Sequence, residues 1–319
     1  MALEARGLTK RFPVLGGLMR RPTAWVRAVD RVTLTLDRGE TLGVVGESGC
    51  GKTTLGRLVL GLLRPEEGEV MLDGAPLGRA LRDDARGTRR RMQIIFQDPL
   101  DSLDPRWTIA QSIAEPLRAC GGFGARELRR RVREALESVQ LAEDLAQAYP
   151  HELSGGQRQR AGIARAVAVE PAYIVCDEPV SSLDLSIQAQ VLDVLLRLQR
   201  ERNIGYLFIS HDLGVVEAVS RRVAVMYLGA VVELAPAGEL LRRPWHPYTE
   251  ALLAAVPRPD PDAAGGVQPL GGEPPSAAQL PSGCRFRTRC PLAEERCARE
   301  EPPLVEKEPG RFVACHFRP

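Results

Sequence analysis

Residues 41–63 read TLGVVGESGCGKTTLGRLVLGLL, and this stretch decides the fold. Residues 41–45 form a short apolar run, the pattern of a parallel strand buried on both faces. Residues 54–63 read as a helix, with Leu55, Leu58, Val59, Leu62 and Leu63 at helical spacing. Between the two, Gly46, Gly51, Lys52 and Thr53 satisfy GxxxxGK[ST]. Strand, glycine-rich loop and helix in that order is the context in which this pattern cradles phosphates. Glycines let backbone N–H groups turn inward, and the helix N-terminus adds partial positive charge. Gly46, Glu47, Ser48, Gly49, Cys50, Gly51, Lys52, Thr53 and Thr54 are therefore the candidate nucleotide-binding residues. Lys52 suits the β- and γ-phosphates, and the Thr53 hydroxyl suits Mg²⁺. Lys10, Lys52 and Lys307 are the only lysines among forty-three basic residues, so no second such loop exists.

Further along, three more apolar runs end in polar groups that could serve the same nucleotide. Residues 173–176 (YIVC) lead into Asp177 and Glu178. An acidic pair at the C-terminal end of a strand sits where parallel α/β sheets place their ligands. Asp177 would belong to the Mg²⁺ shell, and Glu178 would orient or deprotonate an attacking water. Residues 206–209 (YLFI) precede Ser210, His211 and Asp212, and the run IIFQ ends at Gln97. Residues 153–157 read LSGGQ. There Ser154 can cap a helix starting near Gln157, while Gly155 and Gly156 leave N–H groups open to an anion.

In their order along the chain these motifs resemble the ATP-binding cassette (ABC) ATPase family, over residues of about 10 to 235. The resemblance implies a P-loop α/β fold: a RecA-like core, an antiparallel β subdomain and a helical subdomain at about 98–170. It implies that LSGGQ (Ser154, Gly155, Gly156, Gln157) closes on the γ-phosphate held by a partner chain, with Asp184 of SSLD in the D-loop along that seam. It also implies that His211 contacts the γ-phosphate, that Gln97 senses γ-phosphate and Mg²⁺, and that Phe12 stacks on adenine. A core position is the competing reading for Phe12.

A chain of 319 residues can bury a substantial core and hold more than one domain. Its net charge of +2 argues against a nucleic-acid footprint. The basic runs 89–91 and 129–131 read as solvated faces. No run approaches the length of a membrane-spanning helix and no export signal is visible, so a cytosolic chain working with separate membrane subunits is expected. In a reducing compartment the seven cysteines are not expected to form disulfides, and Cys50 reads as a small filler.

Residues 29–36 alternate apolar and polar from Val32 onward, as in a half-exposed strand. Leu128, Val132, Leu136 and Val139 mark an amphipathic helix, and Ile187, Val191, Val194, Leu195 and Leu198 another. Residues 223–234 read as two strands around Leu228 and Gly229. The composition shifts after residue 256, so the cassette is assigned 1–256 and a Pro/Gly-rich extended linker 257–283. Residues 284–319 then carry Cys284, Cys290, Cys297 and Cys315, with five, six and seventeen residues between them. Four thiols in a short segment poor in apolar residues point to a metal centre. The spacing lacks the close pairs of zinc knuckles, although His316 keeps Zn²⁺ as an alternative.

Residues 242–257 (RRPWHPYTEALLAAVP), GCRFRTRC and VACHF resemble the C-terminal extension of oligopeptide/dipeptide transporter ATPases. The resemblance implies a [4Fe–4S] cluster on the four cysteines. VGESGCGKTTLGR and MQIIFQDPLDSLDPR resemble the second of the two ATPase types that pair in such systems. The implied function is ATP hydrolysis powering a peptide importer. The implied partners are a second ATPase subunit (a heterodimer), two membrane permeases and, indirectly, an extracellular peptide-binding protein, with no nucleic acid. The rival readings are a soluble ABC ATPase acting on nucleic acid or ribosome, an importer for another cargo such as nickel, and a redox sensor centred on the tail.

Overall fold

The computed structural model describes residues 2–16, 21–98, 100, 102–255 and 275–318. A four-stranded antiparallel sheet is built from β1 (Ala2–Gly16), β2 (Arg21–Asp37), β4 (Glu67–Leu72) and β5 (Ala75–Pro76), in the order β2-β1-β4-β5. The main sheet contains β3 (Thr41–Val45), β6 (Met92–Ile95), β7 (Tyr173–Asp177), β8 (Gly205–Ile209), β9 (Arg222–Tyr227) and β10 (Ala230–Pro236). Two tail strands, β11 (Val305–Glu308) and β12 (Arg311–Val313), complete it. Its order is β11-β12-β10-β9-β3-β8-β7-β6.

Strands β6, β7, β8, β3 and β9 are all parallel, so their C-terminal ends share one edge of the sheet. The residues at or just past the ends of β3, β6, β7 and β8 are those singled out above: residues 46–53, Gln97, Asp177–Glu178 and His211. Period-2 alternation feeds two cores, one on each face of this sheet. Ile174, Cys176, Tyr206, Phe208, Val223 and Val225 enter one, with the helical subdomain. Leu42, Val44, Val175, Leu207, Ile209 and Met226 enter the other, under the antiparallel sheet.

The expected helical stretch contains α4 (Ile109–Cys120), α5 (Ala125–Ser138) and α6 (Gly155–Val167), preceded by α1 (Lys52–Val59), α2 (Leu77–Asp83) and α3 (Ala85–Arg91). Val132, Leu136 and Val139 are buried as their spacing required. The basic run 89–91 is not the solvated face expected of it. Arg89 donates to the carbonyls of Leu60 and Gly61 at 2.6 and 3.2 Å, and Arg90 to that of Val169 at 3.0 Å. The guanidinium groups satisfy carbonyls left unpaired where α1 and α6 end.

Beyond β7 come α7 (Leu185–Arg202), α8 (Leu213–Val219), α9 (Ala237–Arg242) and α10 (Pro247–Ala254), and the tail adds α11 (Glu295–Arg299). Of the expected linker, residues 257–274 lie outside the described residues. Residues 275–283 run as turns along the cassette, with the Ala277 carbonyl accepting from the Arg27 amide at 3.3 Å. The tail is built into the cassette. β12 pairs antiparallel with β10 through Glu233↔Val313 and Leu234↔Phe312. Phe286 is buried in the same core as Tyr227 and Tyr248, its ring centre 5.4 and 5.5 Å from theirs. Buried Glu233 accepts the amides of Trp245 and His246, both at 2.9 Å, anchoring the entry to α10 beside this junction.

Candidate functional site

The loop between β3 and α1 is held by contacts that exclude side chains at two glycines. Gly46 (φ 152°) leaves a Cβ 2.2 Å from the Met226 carbonyl oxygen, and Gly51 (φ 110°) would place one 1.9 Å from that of Ala28. No larger residue fits either position without moving backbone. Lys52 is buried and curls across the loop, its Nζ donating to the carbonyls of Gly46 (2.8 Å) and Glu47 (3.0 Å). Ser48 and Gly49 lie at the exposed rim, and Thr54 is half-buried on α1. Cys50 is buried, which pushes its thiol pKa up, as befits an inert filler.

The Thr53 hydroxyl donates to Asp177 Oδ1 at 3.0 Å, joining the start of α1 to the end of β7. Burial pushes the Asp177 carboxyl above its ordinary range. The Thr53 hydrogen bond opposes that push, and Glu178 adds to it. Glu178 adopts a left-handed backbone (φ 48°), and its amide donates to the Ile209 carbonyl at 3.0 Å. Such a conformation is costly for a residue with a Cβ and persists where the surroundings over-determine it. It aims the carboxylate at two groups from neighbouring strands: Gln97 Nε2 lies 3.3 Å and His211 Nδ1 3.1 Å from Glu178 Oε2. Three sequence-distant residues thus meet on one oxygen.

Ser154 caps α6 as expected, the helix starting at Gly155, two residues before Gln157. It accepts from the Gln157 amide at 3.3 Å, while Gln157 Oε1 accepts from the Ser154 amide at 2.9 Å. Ser154 is exposed, Gly155 half-buried and Gly156 buried. Asp184 caps α7 through the Ile187 amide at 3.0 Å, and Leu185 beside it is 83% exposed. Phe12 lies half-buried on β1 opposite Val26, with Lys10 Nζ 5.6 Å from its ring centre.

A family model described as ABC transporter matches residues 29–181, and one described as the oligopeptide/dipeptide transporter C-terminal region matches residues 232–297. A probable peptide ABC transporter ATP-binding protein of Sinorhizobium fredii, y4tS, is 50% identical over 99% of this chain and 90% of its own. This chain belongs to the ABC transporter ATP-binding family. The oligopeptide transport ATP-binding protein AppF of Bacillus subtilis is 48% identical over 99% of this ABC ATPase and 97% of its own length. Among solved structures, the dimeric post-hydrolysis cassette MJ0796 bound to ADP and Pi superposes with a TM-score of 0.65 at 28% identity. That match covers 74% of this chain and 98% of the other. The cbiO1 cassette of Clostridium perfringens gives 0.64 at 27% identity, covering 76% and 90%.

In the tail of this ABC ATPase, burial pushes the Cys284 thiol up to about 11, and Cys297, Cys290 and Cys315 add to the push. Burial likewise raises Cys290, with contributions from Cys315 and Cys297. Among the described residues no group of three or more His, Cys, Asp or Glu is arranged to hold a metal ion. His316 has its Nε2 3.0 Å from the Glu300 carbonyl oxygen, which occupies one of its ring nitrogens. No helix among the described residues is long and apolar enough to cross a membrane.

Two contacts join the phosphate loop to residues of the C-terminal stretches 242–257 and 283–290, and the motifs do not foretell either pairing. The Glu47 amide donates to the Tyr248 hydroxyl at 2.8 Å, and the Glu47 carboxylate pairs with Arg289 at 3.0 Å. These partners stand 201 and 242 residues away in the chain, with no periodicity to betray them.

Proposed function

We propose that this ABC ATPase, itself of the second of the two ATPase types, powers import of di- or oligopeptides and shares two composite ATP sites with a different partner cassette. The convergence of Gln97 and His211 on Glu178, at the sheet edge that carries the phosphate loop, supports the ATP-hydrolysing part of this reading most directly, and the similarity to peptide transporter ATP-binding proteins supports the cargo. Residues 46–54 bind the triphosphate and Phe12 stacks on adenine. Thr53, Asp177 and Gln97 would hold Mg²⁺, which would supply positive charge against the triphosphate. Glu178 orients the attacking water and takes its proton, while His211 contacts the γ-phosphate. Ser154, Gly155, Gly156, Gln157 and Asp184 face the nucleotide of the partner chain. Both surfaces gain contacts to the γ-phosphate only when closed, so hydrolysis removes the differential affinity and reopens the pair. The chain works peripherally, on the cytoplasmic face, against two permeases fed by an extracellular peptide-binding protein.

Glu178→Gln is expected to lower ATP turnover by roughly 10²–10⁴-fold and to accumulate ATP-bound dimers in size-exclusion chromatography. Unchanged turnover would remove Glu178 from this role.

Cys284, Cys290, Cys297 and Cys315 would hold a [4Fe–4S] cluster, which would cross-link four points of the tail. A single tetrahedral Zn²⁺ draws all four sulfurs to about 2.3 Å from one centre. A cluster would instead spread its thiolates over several irons. Anaerobic absorbance with iron and zinc analysis of the purified chain distinguishes the two. Stoichiometric zinc without iron would overturn the cluster.

A further inference from the structure

Arg289 precedes Cys290 in the tail, and its side chain is only 5% exposed. Its guanidinium donates a parallel pair of hydrogen bonds to Glu47, Nη1 to Oε2 and Nη2 to Oε1, each 3.0 Å. It also reaches the Tyr227 hydroxyl at 3.5 Å. Glu47 is the residue after Gly46 in the phosphate loop. Its amide is held by Tyr248 of α10 and its carbonyl by Lys52, so Arg289 completes the fixing of all three of its polar groups.

A second tail arginine grips the wall behind the loop. Arg285, 6% exposed, donates to the Leu228 carbonyl at 2.6 Å and pairs with Asp30. The next residue of that turn, Gly229, donates to the Cys50 carbonyl at 2.9 Å and accepts from the Asp30 amide at 2.8 Å. Tail, turn and phosphate loop therefore form one continuous hydrogen-bonded unit.

We propose that Arg289 is a positioning residue of the ATP site: its two-point ion pair with Glu47 holds the phosphate loop in shape and neutralises a carboxylate beside the bound triphosphate. The inference rests on residues 46–53 being the phosphate site. Two physical effects act together. The guanidinium fork fixes the carboxylate in plane, which a lysine ammonium cannot do. Without Arg289, Glu47 would present an unpaired negative charge in a loop whose amides must attract a polyanion.

The test is equilibrium dialysis of the full chain against Mg-ATP, with thermal unfolding followed in parallel. Wild-type binding checks the phosphate-loop assignment by itself, and its absence would overturn both readings together. Given wild-type binding, Arg289→Ala is expected to weaken Mg-ATP by at least about tenfold. Arg289→Lys should fall between Arg289→Ala and wild type. Combining Arg289→Ala with Glu47→Gln should recover most of the lost affinity, because the stranded carboxylate is gone. A merely structural contact would leave the double variant no better than the single one. That result, or Arg289→Ala within about twofold of wild type, overturns the proposal. If Arg289→Ala does not fold, Arg289→Lys decides: affinity equal to wild type overturns the assignment, and a several-fold loss at unchanged melting temperature upholds it.

Discussion

The phosphate loop closes on itself, with Lys52 reaching back to the Gly46 and Glu47 carbonyls at 2.8 and 3.0 Å. The cysteine tail is fastened instead by Arg285 and Arg289, whose partners Asp30 and Glu47 lie 255 and 242 residues earlier. Both regions are irregular backbone around functional side chains. One carries its Lys52 clasp and its glycines in consecutive residues, though those glycines answer to the Met226 and Ala28 carbonyls and its Glu47 is held from the tail. The other borrows rigidity from a sheet edge, a buried aromatic cluster and two ion pairs. Local constraint can be read as a motif, whereas borrowed constraint leaves only scattered arginines among forty.

The sharpest way to break this contrast is to disturb the loop's own geometry. Gly51→Ala forces a Cβ onto the Ala28 carbonyl at a backbone angle that L-residues disfavour. Loss of measurable Mg-ATP binding is expected, with a destabilisation of about 1–3 kcal/mol in denaturant titration. Binding within a few-fold of wild type would mean that the loop is not set by its glycines.

A smaller effect tests the borrowed side. His246 is buried, caps α10 by accepting from the Tyr248 amide at 3.1 Å, and has its pKa pushed down from 6.5 to about 3 by burial. The unfolded chain therefore binds a proton that the native one refuses. Stability is full above about pH 6.5 and falls as pH drops toward 3, by up to ~1.4 kcal/mol per pH unit. Asp30 and Glu40, held below their ordinary range, add to that fall at lower pH, whereas raised Glu233 opposes it. His246→Asn keeps a capping acceptor but loses the titration, so its stability between pH 6.5 and 5 should be flatter than wild type. Parallel curves would rule out His246 as the source.

Most of the site was legible residue by residue. The runs 41–45, 173–176 and 206–209 became β3, β7 and β8 because short, largely apolar runs suit a sheet covered on both sides. Gln97 was weaker, since a lone glutamine after a strand carries no chemistry until a carboxylate stands opposite it. Its 3.3 Å approach to Glu178 depends on β6 lying beside β7, which is a matter of sheet order. The run 89–91 misled because exposure was inferred from charge, while arginine can bury its stem and satisfy a helix end. The tail misled in the opposite sense: it reads as poor in apolar residues, yet Phe286 and Val313 join the cassette's core.

From the chain of letters alone came the phosphate loop, the acidic pair, the capped LSGGQ helix and the strand–helix alternation that carries them. Each depends on neighbours within a turn or a strand, so spacing is sufficient to encode it. Only the folded sheet decided that Gln97, Glu178 and His211 share one oxygen and that β12 extends the cassette's edge. It likewise decided that a tail arginine faces Glu47. Those contacts join segments separated by tens to hundreds of residues, where strand order and packing, rather than periodicity, determine who meets whom.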